Sequence, residues 1–177
     1  MQKRKISNSE LNRLTPEEFR KANKNPIIIV LDNMRSHNNI GSIFRTADAF
    51  LIEAIYLCGI TACPPHRDIH KTALGATETV EWKYFEKTET AIEELKSAGY
   101  IIYAVEQVEN ATNLDKLNIN KETKIALVVG HEINGVSQQI VNQSDLCIEI
   151  PQLGTKHSLN VAVSVGIVVW HLLFLLK

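Results

Sequence analysis

Three short stretches of this chain carry polar residues where a packed scaffold has little use for them. The first is Asp32-Asn33-Met34-Arg35-Ser36-His37-Asn38-Asn39-Ile40-Gly41, and the second is Gly130-His131-Glu132-Ile133-Asn134-Gly135. The third runs Ile150-Pro151-Gln152-Leu153-Gly154-Thr155-Lys156-His157-Ser158-Leu159-Asn160-Val161. Each follows an apolar run and is rich in Gly, Asn or Ser. In the third, a strand ends in proline, a Gly-containing turn follows, and the chain enters a long apolar helix with Ser158 and Asn160 at its mouth. Polar groups there either cap the helix or face a ligand or a tight backbone crossing.

Several mechanisms are excluded by what is missing. There is no G-x-G-x-x-G for a dinucleotide. Gly130 and Gly135 have P-loop spacing, but Val136-Ser137 stands where Lys-Ser/Thr is required. Neither a G-x-S-x-G elbow nor an acid pair at hydrolase-like spacing is present. Cys58, Cys63, His66 and His70 have a zinc-like spacing, but Cys58 reads as the end of a buried strand, so no metal is expected. What remains is a backbone-rich pocket with few acid–base groups. It suits an uncharged adenosine and a methionine-like moiety held by main-chain groups between apolar walls. The matching reaction is transfer from a reactive cofactor to a positioned acceptor, which needs mainly alignment.

The elements around these stretches form an α/β pattern. At 177 residues and 45% hydrophobic content, the chain fits one compact domain with a sizeable core. The net charge of -1 does not advertise a polyanion partner, and Lys3-Arg4-Lys5 is the one basic cluster. Residues from about 6 to 24 read as a polar helical lead-in, with helix starts at Ser7-Asn8-Ser9-Glu10 and Thr15-Pro16-Glu17-Glu18 and with Leu11, Leu14 and Phe19 packing inward. From Pro26 strands and helices alternate. Ile27–Leu31 is a strand buried on both faces, Ile40–Phe50 a helix and Ala54–Leu57 a strand. Thr88–Ala98 is an amphipathic helix ended by Gly99. Strands follow at Tyr100–Val105, Ile125–Val129 and Leu146–Ile150, with a helix between the last two. Such alternation predicts a mostly parallel sheet whose ligand sits at the carboxyl ends of its strands. Val161–Leu176 is short of the ~20 residues that span a bilayer, so a core or subunit-interface helix is expected rather than a membrane segment. Three cysteines and the lack of a secretory leader point to the cytoplasm.

Asn39-Ile40-Gly41-Ser42-Ile43-Phe44-Arg45-Thr46-Ala47 resembles the first motif of the SpoU/TrmH family of SPOUT RNA methyltransferases. Val129 to Val136 resembles the second and Ile150-Pro151 through Ser158-Leu159-Asn160-Val161 the third, while Lys71-Thr72-Ala73-Leu74-Gly75-Ala76 is similar to the family's linker to its middle strand. The resemblance covers about residues 26 to 175, and three motifs in the family's order and spacing make it specific. It implies a SPOUT fold, a mostly parallel sheet flanked by helices with a deep C-terminal trefoil knot, preceded here by a 1–24 extension to a 25–177 domain. Generic topology rules would not suggest a knot. Gly130, Gly135 and Gly154 would serve as its small crossing residues.

The resemblance further implies S-adenosylmethionine as cofactor, contacted by Val105, Gly130, Ile150, Leu159 and Ser158. Ser158 and Asn160 would stand near the methionine end and the acceptor. Arg45 would face the ribose 2′-hydroxyl, often from the partner subunit, holding phosphate and favouring the developing alkoxide. Asn39 would orient Arg45 or the ribose, and Glu132 would fix its loop by accepting backbone or Asn hydrogen bonds. Where the family commonly has Gly after Phe50, this chain has Leu51. The reading is therefore an RNA ribose 2′-O-methyltransferase acting as a homodimer, with tRNA favoured over rRNA. A non-enzymatic RNA-binding module and a methyltransferase for a base or small molecule are its rivals.

Overall fold

A computed structural model of the protein describes residues 3–7 and 10–177. The lead-in holds one helix, α1 (Pro16–Lys21), started by a capping box in which Thr15 Oγ1 accepts from the Glu18 N–H and Glu18 accepts from the Thr15 N–H. Phe19 is its buried anchor, whereas Leu11 and Leu14 are exposed, against expectation. At the other expected helix start, Asn8 and Ser9 lie outside the described residues. There the Glu10 carboxylate is taken up by the Ser7 N–H and the Arg4 guanidinium, and no α-helix follows.

The body alternates as β1 (Asn25–Asp32), α2 (His37–Ala49), β2 (Ile52–Cys58), α3 (Arg67–Ala73), β3 (Glu81–Phe85), α4 (Thr88–Ser97), β4 (Ile101–Val105), β5 (Thr112–Asn113), β6 (Ile125–Val129), α5 (Gln138–Gln143), β7 (Leu146–Glu149) and α6 (Val161–Leu175). Among the described residues the strands form one sheet, ordered β3-β2-β1-β6-β4-β7-β5, and every pairing in it is parallel. α3, β3 and the two-residue β5 were not anticipated by the sequence.

The β-branched run of β1 is unbroken because both of its faces are covered. Ile27, Ile29 and Leu31 join the core under α2, α3 and α6, while Ile28 and Val30 join the core under α4 and α5. Gly99 ends α4 at φ 82°, as its position predicts, and the Tyr100 N–H returns to the Leu95 carbonyl. The turn from α2 into β2 is made by Leu51 itself at φ 49°, in the left-handed region that glycine would occupy at lower cost.

The strand order reverses between β1 and β6, which places the carboxyl ends of β1, β6, β4 and β7 side by side. All three polar stretches leave the sheet along this edge. α6 is 15 residues long and packs Val165, Val168, Val169 and Leu172 into the core. No helix among the described residues is long and apolar enough to cross a membrane.

Candidate active site

A cavity of about 570 Å³ opens along that edge. Its wall includes Val105 from the end of β4, Gly130 and Glu132 after β6, and Ile150, Ser158, Leu159 and Asn160 after β7. Its size fits a ligand the size of a nucleoside with a short tail. The loop after β6 folds back on itself through paired hydrogen bonds between His131 and Gly135. A Cβ on Gly130 would lie 2.1 Å from the Gly135 carbonyl oxygen, so glycine is obligatory at this close approach within the loop. Gly135 supplies φ 67° and would drive a Cβ into Glu106. Gly154 does not share this role, since a Cβ there would meet nothing within 4 Å.

One hydrogen-bond chain joins the three polar stretches. Glu132 Oε1 accepts from the Ser36 N–H at 2.9 Å and from Asn39 Nδ2 at 3.0 Å, and Oε2 accepts from the Arg35 N–H at 3.1 Å. Asn39 Oδ1 in turn accepts from Asn160 Nδ2 at 3.1 Å. Asn160 Oδ1 accepts from the Ala162 and Val163 N–H groups, so this one side chain caps α6 and bridges to α2. Ser158 takes no part in the cap; it is exposed at the cavity.

α2 has no acid in its own first turn, and Glu132 supplies the missing negative charge to its N-terminus from across the sheet edge. Burial pushes the Glu132 carboxyl up. Hydrogen bonds from Asn39 and from the backbone of Glu132, Arg35 and Ser36 outweigh this, holding it below the usual carboxylate range. Gly41 explains itself one turn further on. A Cβ there would lie 2.3 Å from the Ile69 carbonyl oxygen, so the first motif's glycine sets the α2–α3 contact.

Arg45 stands apart. It is exposed and is not among the residues lining the cavity. Six helical positions separate it from Asn39, about 9 Å along the axis and roughly 120° around it. Sequence reasoning did not single out Glu106 or Glu149, which also line the cavity. Glu149 closes β7 and Glu106 directly follows β4 at the ligand-binding edge, and that position was their available signal.

The residues with zinc-like spacing do not converge. Burial, then the nearby Asp32 charge, pushes the Cys58 thiol up to about 12. The group that does come together is His37, His66 and Asp68. The two imidazoles stack 3.9 Å apart at 4°, and His66 Nδ1 already accepts from the Asp68 N–H.

Comparison with known proteins agrees with this geometry. The chain is 33% identical over 156 residues to an uncharacterized tRNA/rRNA methyltransferase of Borreliella burgdorferi, covering 88% of this chain and 67% of that one. It is 29% identical over 153 residues to the tRNA (guanosine(18)-2′-O)-methyltransferase of the same organism, covering 86% and 68%. Relatives from Staphylococcus aureus are longer, and the match spans 56% of their length. Among solved structures, an A. aeolicus TrmH/SpoU tRNA modifying enzyme superposes with a TM-score of 0.78 at 27% identity, over 90% of this chain and 79% of that one. An AdoMet-bound rRNA methyltransferase from Sinorhizobium meliloti gives 0.76 at 26% identity, over 90% and 60%. The model of the SpoU rRNA Methylase family matches residues 26–170, a span that contains all three stretches and the chain joining them, and the protein belongs to that family.

Proposed function

We propose that this protein is an S-adenosylmethionine-dependent methyltransferase that methylates a ribose 2′-hydroxyl of RNA, with tRNA favoured over rRNA. The observation that carries the reading is the Glu132–Asn39–Asn160 chain, which ties the three family motifs together at the mouth of a nucleoside-sized cavity. The guanosine 2′-O-methyltransferase relative supports the ribose and tRNA assignments. A cytoplasmic location is part of the same proposal.

S-adenosylmethionine, when bound, supplies a methyl group on a sulfonium, ready for attack by an oxygen nucleophile. In this reading Gly130, Ile150 and Leu159 hold the adenosine through main-chain groups, with Val105 at the side and Ser158 toward the methionine end. Asn160 is fixed by its cap to α6 and its bond to Asn39, so its position at the cavity rim is set before any substrate arrives. Glu132 keeps Asn39 in place. Arg45, a planar cation with five donors, would hold the RNA phosphate and favour the 2′-alkoxide as the hydroxyl proton passes to solvent water.

Because Arg45 is exposed and absent from the wall of its own cavity, it acts in this reading on the cavity of a partner in a homodimer. α6 offers the interface: Val163, Ile167, Trp170 and Phe174 stay exposed at spacings of four, three and four, with Trp170 at 55% and Phe174 at 61%. Trp170 already stacks at an angle on Phe50 and edge-on to Phe174, forming an apolar ridge beside α2. The trefoil knot belongs to the same proposal. Its support is the family resemblance, together with the place of Ile150, Ser158 and Asn160 in the same cavity wall as the tight Gly130–Gly135 loop. Residues 1–24 form a short extension to the 25–177 domain.

Incubation with labelled S-adenosylmethionine and total tRNA tests the reading. The label should enter ribose and block alkaline cleavage at the modified nucleotide. Label recovered in a base, or no transfer to any RNA, would overturn it.

A further inference from the structure

The cavity wall has a one-sided charge. Glu106, Glu132 and Glu149 line it, and no lysine or arginine does. Glu132 is committed to α2. The other two carboxylates stand on neighbouring strands: Val105 of β4 pairs with Ile148 of β7, so Glu106 and Glu149 follow at the next position of each. Like charges set side by side in a sheet destabilise it. Glu106 is partly relieved, because Oε1 accepts from the Gln107 N–H at 2.9 Å and Oε2 from the Val136 N–H at 2.8 Å. Glu149 has no such relief. It is half-buried, and no hydrogen bond or ion pair reaches its carboxylate from the described residues.

We infer that Glu149, with Glu106 beside it, is a specificity-determining residue that makes the cavity favour a cationic ligand over a neutral one of the same shape. The inference rests on the cofactor reading above. S-adenosylmethionine carries a sulfonium, whereas its product, S-adenosylhomocysteine, has a neutral thioether at the same atom. Carboxylates in a partly enclosed wall act on that charge at a distance, without touching the sulfur. Once the methyl has left, the attraction has gone with the charge, and the product is held less firmly for it. Glu106 has a second task, since its bond to Val136 anchors the Gly130–Gly135 loop.

Calorimetric titration separates these roles. S-adenosylmethionine, S-adenosylhomocysteine and sinefungin, in which an amine-bearing carbon replaces the sulfonium, are titrated into the wild-type protein, Glu149→Gln and Glu106→Gln. Glu149→Gln keeps size and breaks no hydrogen bond. It should weaken the two cationic ligands relative to the neutral one by on the order of threefold to tenfold, with a smaller effect at high salt. Glu106→Gln should shift the ratio the same way and also weaken all three ligands through the loop. An unchanged ratio in Glu149→Gln overturns the charge proposal while leaving the cofactor reading intact. Failure of the wild-type protein to bind any of the three would sink the cofactor reading, and this inference with it.

Discussion

Removing the Glu132 carboxylate should loosen the protein as a whole and its cavity in particular. Three donors converge on that carboxylate: the Arg35 and Ser36 N–H groups and Asn39 Nδ2. Hydrogen bonds to a charged acceptor contribute about 1.5–3 kcal/mol when buried, and at this half-exposed position about 1 kcal/mol each is the reasonable share. The charge facing the α2 N-terminus adds roughly 0.5 kcal/mol. Glu132→Ala should therefore cost about 3.5 kcal/mol in urea unfolding at neutral pH, enough to move the midpoint well outside error. Glu132→Gln keeps one oxygen but turns an amide donor toward another donor, and should cost about half as much. Calorimetry on both variants should show weaker cofactor binding, because Asn39 and Asn160 lose their fixed end. The pH dependence has a definite sign. The folded carboxyl titrates below its ordinary value of 4.5, so its contribution is complete above that pH and is lost as pH falls through the lower folded value. The stability gap between wild type and Glu132→Gln should shrink accordingly in acid. An Ala variant within 0.5 kcal/mol of wild type, with cofactor affinity unchanged, would refute the reasoning.

Three further outcomes follow from other parts of the molecule. Arg45→Ala should reduce methyl transfer more than a hundredfold with cofactor affinity retained, consistent with loss of a group that stabilises developing charge. Mixing it with Gly130→Ala, a cavity-dead variant, should restore partial activity, which a same-subunit role forbids. Trp170→Glu combined with Phe174→Glu should yield monomers by sedimentation equilibrium, since two charges would face each other across the ridge; an unchanged dimer would place the interface elsewhere. Gly41→Ala should lower stability by about 2 kcal/mol or more in thermal unfolding, because the new methyl meets the Ile69 carbonyl and α2 must shift from α3.

The parts of the fold legible in the sequence are those whose physics is local. β1 was readable because burial on both faces permits an unbroken apolar run, and α4 because its periodicity ends in a glycine that takes φ 82°. β3 was not, since it is an edge strand whose residues 81–84 are exposed and only Phe85 is buried. α3 is seven residues entered from Pro64-Pro65 and capped by His66, too short for periodicity to register. The lead-in carries two capping signals, and Asn8 and Ser9 of the first lie outside the described residues. Thr15 starts a helix that Phe19 anchors in the core, whereas beyond Ser7 neither Leu11 nor Leu14 buries anything that would hold a helix in water.

The site was legible as a set of loops, and its hydrogen-bond order was not. Three polar strand ends announce a pocket because parallel strands deliver their loops to one edge, but no spacing rule tells which carboxylate caps which helix. That Glu132 reaches back 96 positions to Ser36 is a consequence of β1 lying beside β6. The first motif shows the limit most clearly. Asn39 and Arg45 belong to one string of letters, yet the helix between them turns them to different sides. Ile40, Ile43, Phe44 and Ala47 take the buried face, while Asn38, Arg45 and Ala49 lie exposed along one stripe. An arginine on a stripe of small residues can approach another surface closely without obstruction from its neighbours. One helix can thus complete two half-sites, its N-terminal turn serving its own cavity and its exposed stripe serving a partner's. Under the proposed homodimer, the motif would be contiguous because the helix is shared between sites, and the catalytic unit would be the dimer.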